Sequence, residues 1–343
     1  MIKLYTNTNF LSETYRRQVF PLLFDLAFKK DEQLLEYYQL VNQVKDADVV
    51  VFPIDYALFI KDKDATDALL SEAKLCAKPI WIYTAGDYGF TNYIDNAYTF
   101  RLGGFKSKLN NKTFILPSFI NDPYTTFLDS RFKPITKSKQ PTIGFVGHAQ
   151  LGFKKWIKEF FNHLKYTVKR KFKGWKVDKQ AFYPSSIKRA RYLQTLSKNE
   201  SFHSNFILRN KYRAGLQNEQ TKIDSSKAFY NNINNTAYTF CIRGVGNFSV
   251  RFYETLAVGR IPILIDTDCK LPLDQSIDWS KHCLIIDSNS KIPIATQLLE
   301  FHNSLSEEAF KNIQQSNREL WLTMLKREAY FKHIHNHFKT ELL

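Results

Sequence analysis

Short apolar runs rich in Val, Ile and Phe alternate along this chain with longer stretches of helical period, and that alternation constrains its fold more than any other feature. It is the pattern of βαβ units around parallel sheets. In the first third the strand candidates are Ile2 to Tyr5, Asp48 to Pro53, Pro79 to Tyr83, Ala97 to Leu102 and Thr113 to Leu116. Glu13 to Phe24 and Asp64 to Cys76 repeat apolar residues at i, i+3, i+4 and are expected to be helices.

From Asp122 to Pro141 the periodicity stops and prolines and polar residues take over, as in an inter-domain linker. The alternation restarts at "PTIGFVGHA", continues through a basic helical region (Phe153 to Phe172) and the strand "NFILR", and ends with strands "RIPILID" and "HCLIID" and two late helices. The later helices are expected from Pro293 to Phe301 and, as one long element, from about Ser306 to His337. With 343 residues, two Rossmann-like α/β domains are expected, 1–125 and 141–305, joined by a linker at 126–140. The final helical segment, 306–343, is expected to pack back on the first domain.

Abundant Phe (29) and Tyr (18) supply material for two cores and argue against disorder. Four scattered cysteines, Cys76, Cys241, Cys269 and Cys283, form no C-x-x-C pair and indicate neither a zinc site nor a disulfide framework. The N-terminus "MIKLYTNTNF" has no basic-then-apolar signal pattern, and no apolar run approaches the roughly 18 residues that span a bilayer. A cytoplasmic protein is expected, at most peripheral on the inner face of the cell membrane. The excess of 49 Lys and Arg over 33 Asp and Glu, +16, favours anionic partners without choosing among polyanions, lipid headgroups and phosphorylated small molecules.

The segment "FCIRGVGNFSVRFYETLAVGRIPILID" concentrates the chemistry. It reads as a strand, a glycine-flanked arginine turn, a helix with Asn247 as N-cap and Gly259 at C′, and a second strand. Such a series puts a helix N-terminus at the carboxyl edge of a sheet, where open α/β folds bind ligands. Gly244 and Gly246 allow close backbone approach, while Arg243 and the helix dipole favour an anion such as a diphosphate. Arg251 and Glu254 share one helix side: either Glu254 faces a cleft, where a carboxylate accepts sugar hydroxyls, or the two form an i, i+3 ion pair.

This segment, continued through "TDCKLPLDQSIDWS", resembles the C-terminal motif of the exostosin-like glycosyltransferases, family 47: an R-G turn, an S-x-R-x-x-E helix, a G-x-I-P-V strand, then L-P and I-D-W. "IGFVG" resembles the strand opening their donor domain. The resemblance is specific over about 45 residues and looser from Pro141 to Asp287. It implies a GT-B fold, with an acceptor-side first domain and a donor domain facing across a cleft, and transfer of a sugar from a nucleotide donor, UDP favoured, with inversion. By the same resemblance Arg243, Gly244, Ser249 and Arg251 would lie near the diphosphate and Glu254 would hold the ribose. "CIRG" departs from the proline that commonly precedes the arginine. Gly147, His148 and Arg209 end strands at the same edge and are further candidate donor contacts.

Inverting transfer needs a base that deprotonates the acceptor hydroxyl as it attacks opposite the leaving group, hence a base from the first domain. Asp87 in "TAGDYG" and Asp55 after "VVVFP" follow strands and are the candidates, each alternatively a turn-capping aspartate. "DTD" (Asp266 to Asp268) imitates a metal-binding D-x-D, and "HIHNH" places His333 and His337 at i, i+4, but neither has recognisable companions; no metal and no cofactor are expected. The partners expected are a nucleotide-sugar donor and a saccharide or lipid-linked acceptor, in cell-surface polysaccharide or glycolipid synthesis.

The helical region after Gly147 sets Trp156, Phe160, Leu164, Val168 and Phe172 four apart, with lysines between. This stripe either packs on the sheet or meets anionic lipid. Two alternative functions stay open: a basic nucleic-acid-binding protein, for which no recognised module is visible, and a catalytically idle partner subunit of the same fold.

Overall fold

The computed structural model describes residues 1–209 and 219–342. Its first sheet is built from β1 (Ile2–Tyr5), β2 (Tyr38–Leu40), β3 (Val49–Val51), β4 (Ile80–Thr84), β5 (Ala97–Arg101) and β6 (Thr113–Ile115), ordered β2-β1-β3-β4-β5-β6 and parallel throughout. The second comprises β7 (Thr142–His148), β8 (His203–Arg209), β9 (Tyr238–Cys241), β10 (Ile261–Asp266) and β11 (Leu284–Asp287), ordered β11-β10-β9-β7-β8 and again parallel. Central strands such as Val49–Val51 and Tyr238–Cys241 are buried at every residue, as parallel strands covered on both faces must be. Two Rossmann-like domains therefore face a common cleft in the GT-B manner.

The helices of the first domain are α1 (Pro21–Phe24), α2 (Glu32–Leu35), α3 (Tyr56–Phe59) and α4 (Lys63–Leu75), with α5 (Pro123–Thr126) leading out of it. The second carries α6 (Phe153–Phe172), α7 (Ser185–Ser197), α8 (Glu219–Asn234), α9 (Val250–Ala257), α10 (Ile294–Ser304) and α11 (Glu307–Leu320), and α12 (Arg327–Leu342) ends the chain. No helix among the described residues is long and apolar enough to cross a membrane.

Three local expectations are corrected. Glu13 to Phe24 is not one helix: Val19 bridges Ile54, Phe20 N–H donates to the Pro53 carbonyl, and Pro21, lacking an N–H, starts a helix only there. The long final helix is broken: Trp321–Leu325 forms a π turn and Lys326 is extended (φ −61°, ψ 154°). Phe310, Leu320, Trp321 and Leu325 sit in the second domain's cores, whereas Tyr330, Phe331, Ile334 and Phe338 complete the first domain's, and the break lets one chain serve both. The third correction concerns α9, whose N-cap is Ser249; Asn247 is instead buried, and its amide donates to the carbonyls of Gly104, Thr267 and Asp268.

α12 is thus a tie between domains. Tyr38 Oη donates to the Phe331 carbonyl at 2.6 Å, and Arg327 meets the fully buried Asp25 at 2.9 Å. Burial raises the Asp25 carboxyl and Arg327 opposes that shift. A second tie is Asp178, between α6 and α7. Its carboxylate accepts from Arg101 Nη1 at 2.7 Å and from Thr91 N and Oγ1 at 2.8 and 2.9 Å. Arg101 itself is 1% exposed and also donates to the carbonyls of Gly103 and Tyr88.

Candidate functional site

A cavity of about 880 Å³ opens between the domains, within the range of small-ligand sites. It lies where β7 and β9 diverge to opposite halves of the second sheet, the switch point at which open α/β sheets bind ligands. A shallower groove of about 520 Å³, lined by Phe10, Tyr15 and Lys61, lies elsewhere on the first domain.

Of the sequence-predicted residues, Gly147, His148, Arg209, Gly244, Ser249, Arg251 and Glu254 line this cavity, and Asp87 lines it from the first domain. Gly147 leaves room for Arg251, because a Cβ there would come within 2.8 Å of Arg251 Nη2. That guanidinium donates to the Val146 carbonyl at 2.8 Å and stacks 4.2 Å from the Phe145 ring. Glu254 interacts electrostatically with Arg251 and also accepts the hydroxyl of Tyr230, whose pKa is driven upward by burial and by this carboxylate. At the α9 N-terminus, Ser249 makes no side-chain capping bond, and Phe248 to Arg251 border the cavity.

His148 Nδ1 lies 2.9 Å from the Arg209 carbonyl and Nε2 2.7 Å from Lys155 Nζ. An ammonium only donates, so Nε2 accepts and the ring proton sits on Nδ1. Lys155 also pairs with Glu159 at 3.6 Å. Arg209 Nη2 donates to the Ser225 carbonyl at 3.0 Å, and burial lowers its pKa.

Arg243 stands apart from this group. It is 5% exposed, behind the cavity wall, with its guanidinium 4.6 Å from the Tyr183 ring and 5.2 Å from the Phe105 ring and Nη2 donating to Gln180 and to the Val245 carbonyl. The two turn glycines differ as well. A Cβ on Gly244 meets no described residue within 4 Å, so this glycine opens toward the cavity, whereas one on Gly246 would run into the Asp87 carbonyl oxygen. Gly246 lets the two domains approach closely at this point. Asp87 follows β4 and is solvent-accessible, yet the surrounding walls withdraw enough water to raise its carboxyl. Asp55 is not brought into the cavity: it sits at the N-cap position of α3 and accepts from Ala85 N at 2.7 Å.

Arg189 was not singled out from the sequence. It sits in the basic run "SSIKRARYLQTL", whose charge alone does not distinguish a cleft arginine from a solvated one. Its Nη1 donates to the His148 carbonyl at 2.7 Å, and burial together with nearby Arg251 pushes its pKa down to about 10. Nε of Arg189, of Arg251 and of Arg243 behind the wall is buried with no hydrogen-bond partner among the described residues. Desolvated guanidiniums brought together against their mutual repulsion form a site for a multiply charged anion. Phe182, Phe229 and Tyr230 add aromatic walls.

The acidic triplet serves another purpose. Asp266 accepts from Cys269 N at 2.7 Å, and Asp268 accepts from Ser107 N and Oγ across the domain boundary. His333 bonds to Ser276, and His337 packs edgewise on Phe114. No group of three or more metal-ligating side chains occurs among the described residues.

No family model matches the chain. Over 90 residues it is 30% identical to the Exostosin-1 homolog of Caenorhabditis elegans, a stretch covering 26% of this chain and only 22% of that protein's length. Among solved structures it is similar to an alpha1,3-fucosyltransferase (12% identity, TM-score 0.40, 99% of this chain and 90% of that one). It is also similar to a glycosyltransferase from Rickettsia africae (10%, 0.40, 98% of each). TarM of S. aureus, solved with UDP, matches at 9% identity and TM-score 0.39, over 84% of this chain and 54% of that one.

Proposed function

We propose that this chain is an exostosin-like glycosyltransferase that moves a sugar, with inversion, from a nucleotide-sugar donor to a saccharide or lipid-linked acceptor in cell-surface polysaccharide or glycolipid synthesis. A UDP-sugar is favoured as donor. The observation carrying this reading is the convergence of Arg189, Arg209, Arg251, Glu254 and the α9 N-terminus on one interdomain cavity at a sheet switch point.

In this reading the diphosphate lies against the guanidiniums and the free N–H groups of α9, which hold the charge that builds on the departing nucleotide. They take the place a metal ion would occupy, and transfer is proposed to run without one. Glu254, held by Tyr230, accepts the ribose hydroxyls. Arg243, clamped between Tyr183 and Phe105, shapes the turn that carries Gly244. Asp87, reaching the cavity from the opposite domain, takes the proton of the acceptor hydroxyl as it attacks. Asp55 is left to hold the Ala85 turn.

A screen of UDP, GDP and CMP and their sugars against wild type, Arg243→Ala and Glu254→Ala tests the assignment. Binding of one nucleotide, weakened in both variants, is expected. No nucleotide binding, or unchanged binding in both variants, refutes it, and donor binding without transfer to any acceptor identifies an idle partner subunit instead.

A further inference from the structure

α6 does not pack its apolar stripe on the sheet: Trp156 and Phe160 rest edgewise on Phe182, Leu164, Val168 and Phe172 are exposed, and Tyr166 alone in this helix is buried. Phe153 is 75% exposed, Phe161 56%, Leu164 41%, Val168 45% and Phe172 80%. At 3.6 residues per turn these five fall with Ile157 on one face, and Lys154, Lys158, Lys165 and Lys169 line the adjoining one. The remaining side, with Lys155, Glu159 and Tyr166, turns toward the cavity and the segment after the helix.

The charge of the outward faces has one sign. From Phe153 to Lys179 the only carboxylates are Glu159 and Asp178, and both are engaged inward, with Lys155 and with Arg101. Every lysine in this stretch except Lys155 is exposed. Twenty residues of helix make a strip about 30 Å long. An exposed aromatic and aliphatic face with a lysine flank fits the boundary between headgroups and acyl chains of an anionic bilayer. Nucleic acid would use the lysines but leave the aliphatic face in water, and a second copy of this chain would bring an identical lysine row against the first.

We propose that α6 is a membrane-docking element that seats the protein on anionic lipid surfaces. Because the same helix supplies Lys155, Glu159 and His163 to the cavity wall, docking sets the cleft beside the headgroup layer. The inference does not depend on sugar transfer, and its test uses no nucleotide.

Flotation of the full chain with phosphatidylcholine vesicles, and with vesicles that are one third phosphatidylglycerol, measures the partition directly. Binding to the anionic vesicles is expected, weakened by added salt and absent on the neutral ones. Each lysine near the surface contributes about a fivefold factor, so Lys154→Gln, Lys158→Gln and Lys165→Gln together should lower partition on the order of 100-fold. Phe153→Ser, Phe161→Ser and Phe172→Ser together should abolish flotation while leaving the thermal melt unchanged, since all three side chains are exposed. Equal binding to both vesicle types, or no effect of either triple variant, overturns the proposal. So does displacement from vesicles by equimolar duplex DNA, or a dimer that the phenylalanine variant dissolves.

Discussion

Arg189→Met separates a residue kept for a ligand from one kept for the fold. In the free protein this guanidinium is desolvated beside Arg251, and its pKa is pushed well below the ordinary arginine value, to about 10. That difference corresponds to about 3 kcal/mol against the charged form. Between about pH 10 and the ordinary arginine value the unfolded chain holds the extra proton, so the cost is fully present below pH 10 and is relieved as pH rises through that window. Methionine removes the charge and forfeits two hydrogen bonds, to the His148 carbonyl at 2.7 Å and the Arg243 carbonyl at 3.4 Å, together about 2 kcal/mol. The two effects nearly cancel, so the ligand-free melting midpoint should hold or rise by only about 1 to 2 °C. Nucleotide binding should behave oppositely: losing one charge-assisted contact to a diphosphate weakens UDP roughly 10- to 150-fold by calorimetry. Arg189→Lys should fall between, keeping the charge without the fork. A midpoint lowered by several degrees with undiminished UDP affinity would return Arg189 to a structural role.

Asp178→Ala strands the buried Arg101 guanidinium without its carboxylate and should cost about 3 kcal/mol in urea unfolding; a loss under 1 kcal/mol removes Asp178 as a domain tie. Gly246→Ala, which drives a methyl group into the Asp87 carbonyl, should open the cleft and raise the radius of gyration in solution scattering, whereas Gly244→Ala should leave it unchanged. Burial raises the Asp87 carboxyl, and only its carboxylate accepts a proton, so transferase activity should climb with pH through a midpoint above the usual carboxylate range. Asp87→Asn should remove that limb and lower kcat about 100-fold or more, and an unaltered profile would exclude Asp87 as the base.

The parallel strands were legible because burial on both faces forces continuous apolar runs, as in "VVV" at Val49–Val51 and "IPILID" at Ile261–Asp266. The edge strand Tyr38–Leu40, short and centred on Gln39, left no such run. The glycine-arginine turn and the Arg251 and Glu254 pair pointed to residues that line the interdomain cavity, since their spacing sets which helix face they share. Arg243 shows the limit of that reading: its motif was visible, but not the Tyr183 and Phe105 rings, distant in sequence, that hold it behind the wall. Arg189 shows another, because a cleft arginine and a solvated one look alike until α7 is placed against β7. α6 inverted the ordinary expectation for an apolar stripe, since periodicity reports that a face exists and not what covers it.

We propose that the interdomain cavity holds a nucleotide diphosphate. Calorimetric titration of UDP into wild type and Glu254→Ala tests it most directly: saturable binding at one site, weakened at least tenfold in the variant, is the predicted result. Absence of UDP, GDP and CMP binding to the wild-type chain, with tight and salt-sensitive binding of DNA instead, would contradict it.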